Sequence, residues 1–433
     1  MKAVRTKICS VARRMAVRSV VFLLVALLAS NCFGYSVLSH EAIIDSAWDD
    51  AIKPLLLQRF PDATPDELRT AHGYAYGGAV IQDMGYYPFG SKFFSDLVHY
   101  LRSGDFIEAL LRDSQDINDY AFALGALAHY AADNEGHRLG TNLAVPLLYP
   151  KLKRKYGNVI TYDENPAAHL KTEFGFDVLQ VAKGRYAPDD YRDHIGFQVA
   201  KPLLARSFEE TYNLKLEDVF TNYDLAVGTY RRGVSSVIPS MTKVAWQVKK
   251  DEIQKDEPGI TRDKFLYHLS RSSYEKNWSK DYRKPGLGTM ILAFLFRLIP
   301  KIGPFSAFSF RTPTPETEKL FMGSFNLALQ NYEGLLRDEK TQGSVNLAND
   351  NFDTGSVTKP GEYPLADITY ANFVDRLARN HFAQVTPELQ SALLGYYTDG
   401  SAALDLSLKK KERGKLAQEV GELKSIHLAQ NLP

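Results

Sequence analysis

Cysteine is almost missing from this chain of 433 residues, and the only two, Cys9 and Cys32, both precede position 34. Beyond that point no thiol can form a disulfide, attack a substrate or ligate a metal. Any metal held there must be bound through nitrogen and oxygen. Excess charge of one sign is lacking too, since 52 basic residues nearly match 51 acidic ones for a formal net charge of +1. That balance argues against a broad nucleic-acid-binding surface. Long unbroken apolar runs are absent apart from residues 20–29, a stretch too short to span a bilayer comfortably. Neither internal repeats nor low-complexity tracts occur, and strand-like alternation is scarce.

Ahead of the apolar run stand Lys2, Arg5, Lys7, Arg13, Arg14 and Arg18, and no acidic residue appears before Glu41. A basic start followed by a short apolar stretch is the layout of a secretory signal peptide. The expectation is a leader over 1–34, cleaved after Gly34, and a mature chain exported to the periplasm or the extracellular space.

From Tyr35 onward the text reads as helices with short loops, so an all-α bundle is expected. Over 116–132, Ile117, Tyr120, Ala121, Leu124, Leu127, Ala128 and Ala131 recur at helical spacing behind Asp116, a suitable cap. A second helix should open at Asn165 and Pro166, asparagine suiting the cap and proline the first helical position. It would carry His169, Glu173, Phe176 and Leu179. Residues 286–310 form an interrupted apolar stretch that suits either core or a lipid-facing surface. Residues 338–367, rich in Gly, Asn, Asp and Pro, read as an extended connection. Helices are expected again at 368–379 and 387–397, and Lys409, Lys410, Lys411, Glu412 and Arg413 as a solvated helix face. The division is then a catalytic segment over 35–250 and a helical C-terminal extension over 251–433.

What the chain does have is histidine in one place: seven of its ten lie between His40 and His194. His129 with Asp133, and His169 with Glu173, are each four residues apart. On a helix that spacing puts an imidazole and a carboxylate on one face, about 6 Å from each other. His137 follows Asp133 by the same interval, although Gly136 is a plausible helix end. Imidazole plus carboxylate without sulfur suits zinc best among the common divalent ions. His72, His194, His268, His381 and His427 read as structural or surface histidines, with His72 the nearest of them to Asp83 in sequence.

Taken in order, His40, Asp83, His99, His129, Asp133, His137, His169 and Glu173 resemble the ligand series of the zinc-dependent phospholipase C family. That family shares its helical fold and trinuclear site with the zinc-dependent single-strand nucleases. The resemblance covers roughly residues 35–250. Three departures stand out. Tyr35 takes the place of the family's N-terminal tryptophan. The gap from Asp133 to His137 is shorter than usual, and that from His137 to His169 is longer, implying an inserted lysine-rich loop around 151–156.

The resemblance implies up to three zinc ions. One would take Asp83, His99, His129 and Asp133; a second His137, His169 and Glu173; a third His40 with the amine and carbonyl of Tyr35, sharing Asp133. Clustered cations lower the pKa of a bound water towards about 7 and stabilise charge on a phosphoryl group, which suits phosphodiester hydrolysis. Asp83 would orient the attacking water. The implied activity is a phospholipase C acting on glycerophospholipid head groups at a membrane surface, without a stable nucleic-acid partner. A single-strand nuclease or nucleotidase on the same metals, or a zinc-stabilised binding protein without turnover, stands as the alternative. Around Asp83, Tyr74, Tyr76, Tyr86, Tyr87, Phe89, Phe93 and Phe94 serve as packing residues or as a head-group pocket.

Overall fold

A computed structural model of the chain describes residues 37–87, 89–182, 198–232, 251, 255, 310–399 and 408–426. The expected leader, Tyr35, nearly all of the 286–310 stretch, and His194, His268 and His427 lie outside these residues, and the expected boundary near 250 falls beside them. No described helix is long and apolar enough to cross a membrane.

Helices α1 (Val37–Ala47), α2 (Lys53–Arg59) and α3 (Pro65–Val80) come first, with a π turn over Trp48–Ile52 between the first two. A 3-10 turn at Ile81–Tyr86 leads to α4 (Lys92–Tyr100), α5 (Ser103–Arg112) and α6 (Ile117–Glu135). After a π turn at Gly136–Thr141 come α7 (Asn142–Leu148), α8 (Pro150–Tyr156) and α9 (Pro166–Ala182). Then follow α10 (Lys201–Tyr212), α11 (Leu216–Val219), α12 (Tyr223–Arg232) and the long α13 (Pro315–Gln342). A hairpin of β1 (Asp350–Asn351) and β2 (Ser356–Val357) precedes α14 (Pro364–Arg379), α15 (Pro387–Asp399) and α16 (Lys410–Ser425). The expected all-α bundle is what the described residues form.

Local chemistry accounts for the main boundaries. Asp116 caps α6 by accepting the amides of Asn118 and Asp119, both at 2.9 Å. Asn165 caps α9, its Oδ1 accepting from the Ala168 amide at 2.9 Å. Every residue of α6 from Tyr120 to Asn134 is buried, the mark of a helix at the centre of a domain rather than on its rim. Helix α3 crosses it with almost no side chain between them. A Cβ on Gly78 would lie 1.8 Å from the Phe122 carbonyl oxygen, and one on Gly125 2.0 Å from that of Ala75. Only glycine permits this approach, and the approach sets Ala79 beside His129. On another side α13 locks to α6 by the Tyr332 hydroxyl donating to Leu124 O and that of Tyr120 to Glu339, both at 2.9 Å. One hydrophobic cluster therefore runs from Val37 through α6 and α13 to Leu423.

Two expectations change. The lysine-rich insertion is a helix, α8, because Pro150 opens it and Gly157, at φ +98°, closes it. Tyr149, Leu152 and Tyr156 pack against a small separate cluster of Val145, Ile160 and Ala168. Within 338–367, the first residues complete α13, which ends at Gly343 in the left-handed conformation, φ +70°. The rest holds the hairpin, paired Asp350 to Val357 and Asn351 to Ser356. Strands of two residues carry no readable alternation, so nothing in the pattern announces them. Lys409, Lys410 and Lys411 are exposed at the start of α16, as expected of a solvated face.

Candidate metal centre

The centre is built outward from α6. His129 and Asp133 are 0% and 1% exposed. The His129 ring is oriented by its Nδ1, which donates to Ala79 O at 2.9 Å and leaves Nε2 3.0 Å from Asp133 Oδ2. Helix α4 presents His99 the same way: Nδ1 donates to Ser95 O at 2.7 Å, and Nε2 stands 3.4 Å from both Asp83 Oδ1 and Asp133 Oδ2. Backbone carbonyls thus select the tautomer that leaves Nε2 as the free donor of an electron pair, as metal-binding histidines require. From α1, His40 stacks on His129 with centroids 4.3 Å apart and brings Nε2 to 3.5 Å from Asp133 Oδ1.

Gly136 does not end the helix. The chain widens into the π turn and keeps His137 on the same face, Nε2 3.5 Å from Asp133 Oδ1 and Nδ1 3.4 Å from Glu173 Oε1. Helix α9 adds His169, whose Nδ1 is 2.9 Å from Glu173 Oε1 and whose Nε2 lies 2.7 Å from Asn142 Oδ1. Eight of the nine expected residues therefore converge, and the ninth, Tyr35, lies outside the described residues. His72 takes no part, since it stacks on Trp48 at 3.8 Å and pairs with Asp45 at 3.1 Å.

Many of these separations are too long for hydrogen bonds, which run about 2.7–3.2 Å between nitrogen and oxygen. They match something else. Zinc bonded to nitrogen or oxygen at about 2.0–2.1 Å in a tetrahedron holds its ligands about 3.3 Å apart. Both carboxylate oxygens of Asp83, Asp133 and Glu173 are buried without a well-aligned hydrogen-bond donor among the described residues. Several buried carboxylates left so are costly unless cations compensate them. Ligand atoms lie within 4.8 Å of one another in three groups: His40, His129 and Asp133; Asp83, His99 and His129; and His137, His169 and Asp353. The donor set fits zinc.

Asp353 and Asn142 are the residues the sequence did not disclose. Asp353, in the hairpin turn, sets Oδ1 3.6 Å from His137 Nδ1 and 3.5 Å from His169 Nε2. It is far downstream of the histidines, and a lone aspartate in a turn bears no spacing signal. Asn142 Oδ1 meets the His169 ring while its Nδ2 donates to Asp353 O at 2.7 Å, so it ties α9 to the hairpin.

Tyr86, Tyr100 and Tyr162 with Asp83, His99, His137 and Asp353 line a cavity of about 20 Å³. Of the aromatics near Asp83, Tyr76, Tyr86, Tyr87 and Phe94 are buried, and Phe89 is 44% exposed. A larger cleft of about 600 Å³ between α2, α5 and α13 shares no lining residue with the centre.

Charge follows from the crowding. Burial, then the neighbouring His129, pushes His40 down to about 3, so it is neutral and ready to ligate. Burial also works against a proton on His99, but the carboxylates of Asp133 and Asp83, each 3.4 Å away, outweigh it and hold His99 up at about 10. His137 is raised in the same manner by Asp133 and Glu173 against its own burial. At neutral pH the metal-free protein thus keeps a proton on His99 that ligation must displace. Zinc uptake is expected to release protons, and its apparent affinity to climb with pH from 7 towards 10, roughly tenfold per unit for each proton displaced. Titration calorimetry in buffers of differing ionisation heat measures this directly. Uptake without proton release would remove His99 from the ligand set.

No curated protein and no solved structure matches the chain. Residues 39–222 match the family model described as zinc dependent phospholipase C. Over that segment, which carries all eight converging side chains, the chain is similar to the zinc-dependent phospholipase C family.

Proposed function

We propose that the chain is a secreted phosphodiesterase of the phospholipase C type, holding up to three zinc ions on His40, Asp83, His99, His129, Asp133, His137, His169, Glu173 and Tyr35. The observation that carries this reading is the packing of orphaned buried carboxylates among histidines at ligand-to-ligand separations. Zinc, when bound, supplies Lewis acidity towards a phosphoryl oxygen and makes water acidic near about pH 7. The chain's own residues do the rest. Asp133 is placed between the imidazoles on both sides and bridges neighbouring positions. Asp83 borders the cavity with neither oxygen met by a hydrogen-bond donor among the described residues, which suits it to accept a hydrogen from the attacking water and aim it. Burial raises the Tyr86 and Tyr100 hydroxyls well above their usual range, so both stay protonated and can donate to a phosphoryl oxygen.

A glycerophospholipid is the favoured substrate. Among the described residues the cavity wall is rich in tyrosine and carries no lysine or arginine to track a nucleic-acid backbone. Tyrosine faces also suit a choline-like cation. The catalytic segment is taken as 35–250, and the basic, then apolar, start of the sequence supports export of the mature protein. One observation favours a second reading. A cavity of about 20 Å³ holds a water but no phosphodiester, which suits a zinc-stabilised protein without turnover unless the surrounding walls open.

Parallel assays on phosphatidylcholine vesicles and single-stranded DNA, with and without chelator, separate the readings. Phosphocholine release that chelator abolishes and zinc restores is the expected result. Hydrolysis of DNA alone would point to the nuclease, and retained zinc without either activity to the binding protein.

A further inference from the structure

Asp353 is held like a ligand. Its Oδ2 accepts the Tyr363 hydroxyl at 2.8 Å and the Tyr162 amide at 2.9 Å, which fixes the carboxylate plane. Oδ1 is left buried, without a hydrogen-bond donor among the described residues, and aimed between His137 and His169. The side chain is 3% exposed. Its two oxygens thus divide the work as the carboxylates of metal sites do, one bonded to the protein and the other presented to the ion.

The hairpin that delivers it is docked at many points. Phe352 donates its amide to His99 O at 3.1 Å, and its ring lies 5.4 Å from that of His99 and 5.9 Å from that of His129. The Asn351 side chain accepts the Asp353 and Thr354 amides at 3.0 and 3.3 Å, shaping the turn. Gly355 sits at φ +61°, where a Cβ would come within 2.4 Å of Asn134 O, so the turn is pressed onto α6 immediately after Asp133. The Tyr130 hydroxyl donates to Asp350 Oδ2 at 2.9 Å and anchors the strand from α6.

We infer that Asp353 is a metal ligand supplied by the C-terminal region, completing the position of His137, His169 and Glu173 from outside the segment that matches the family. The inference rests on the metal-binding reading above. Its consequence is that the hairpin and the zinc position stabilise each other, and the region after 310 is part of the centre rather than an appendage.

The test uses the full chain. Zinc per chain and zinc affinity, by elemental analysis and chelator competition, are compared for the wild type, Asp353→Asn and Asp350→Asn. Asp353→Asn should hold less zinc and bind its weakest ion about 100-fold or more less tightly, beyond the usual cost of losing an outer partner. Asp350→Asn keeps an acceptor for the Tyr130 hydroxyl, does not face the ions, and should keep the wild-type content. Equal zinc content and affinity in Asp353→Asn and the wild type overturns the inference while leaving the metal centre intact. A wild type that binds no zinc overturns the metal reading and this inference with it. Should Asp353→Asn fail to fold, hydrogen exchange on the wild type decides. Zinc should slow exchange at 350–357 at least about tenfold, and exchange there indifferent to zinc refutes the ligand role.

Discussion

Asp133→Asn is expected to strip most of the zinc from the protein and to lower phospholipid hydrolysis by roughly 10³-fold or more, above the tenfold to hundredfold cost of outer partners. The reason is position. Asp133 Oδ1 faces His40 and His137, each at 3.5 Å, and Oδ2 faces His129 at 3.0 Å and His99 at 3.4 Å. Burial disfavours its charge, yet His129 and His137 hold it well below the usual carboxylate range. Asparagine matches the shape but removes the charge and turns an NH₂ group towards atoms that should ligate. Elemental analysis measures the loss. Circular dichroism should show α6 intact, because the helix is capped at Asp116 and buried by neighbours other than Asp133. The variant's melting temperature should also become insensitive to chelator, whereas the wild type's should fall. Normal zinc content in Asp133→Asn would disprove the bridging role.

Asp83→Asn should separate chemistry from metal retention. Asp83 Oδ1 lies 3.4 Å from His99 Nε2 and borders the cavity, whereas Asp133 also faces His40, His129 and His137. Its loss should therefore reduce zinc content less than that of Asp133. Turnover should still fall about 10²- to 10⁴-fold, the usual range for removing a positioned proton acceptor. The fall should appear in kcat with KM nearly unchanged, since the interaction belongs to the transition state. A variant that keeps kcat would exclude Asp83 from orienting water.

Much of this was open to reading from the chain itself. The Asp116 and Asn165 caps, the buried periodicity of α6 and the two four-residue intervals are local facts, and helix geometry converts each into a direction in space. His137 was harder. Gly136 ordinarily signals a helix end, and only the continuous packing of α6 through α7 keeps the backbone winding, as a π turn. The lysine-rich insertion was misjudged for the opposite reason, since a proline and a glycine sufficed to bound a short helix. Asp353 had no local signal at all. Its contribution depends on two-residue strands, a glycine with positive φ and anchors from Tyr130, Tyr162 and Tyr363, all brought together from separate parts of the chain.

Residue order alone determined the helical class, the absence of sulfur ligands and the set of imidazoles and carboxylates from His40 to Glu173. Each of these depends on composition or on intervals within one helix. Tertiary structure alone decided that His40, His99 and His137 share one carboxylate, that a small cavity lies beside Asp83, and that the C-terminal hairpin reaches His137 and His169. Contacts between distant segments follow from how whole helices pack, and no interval along the chain encodes that packing.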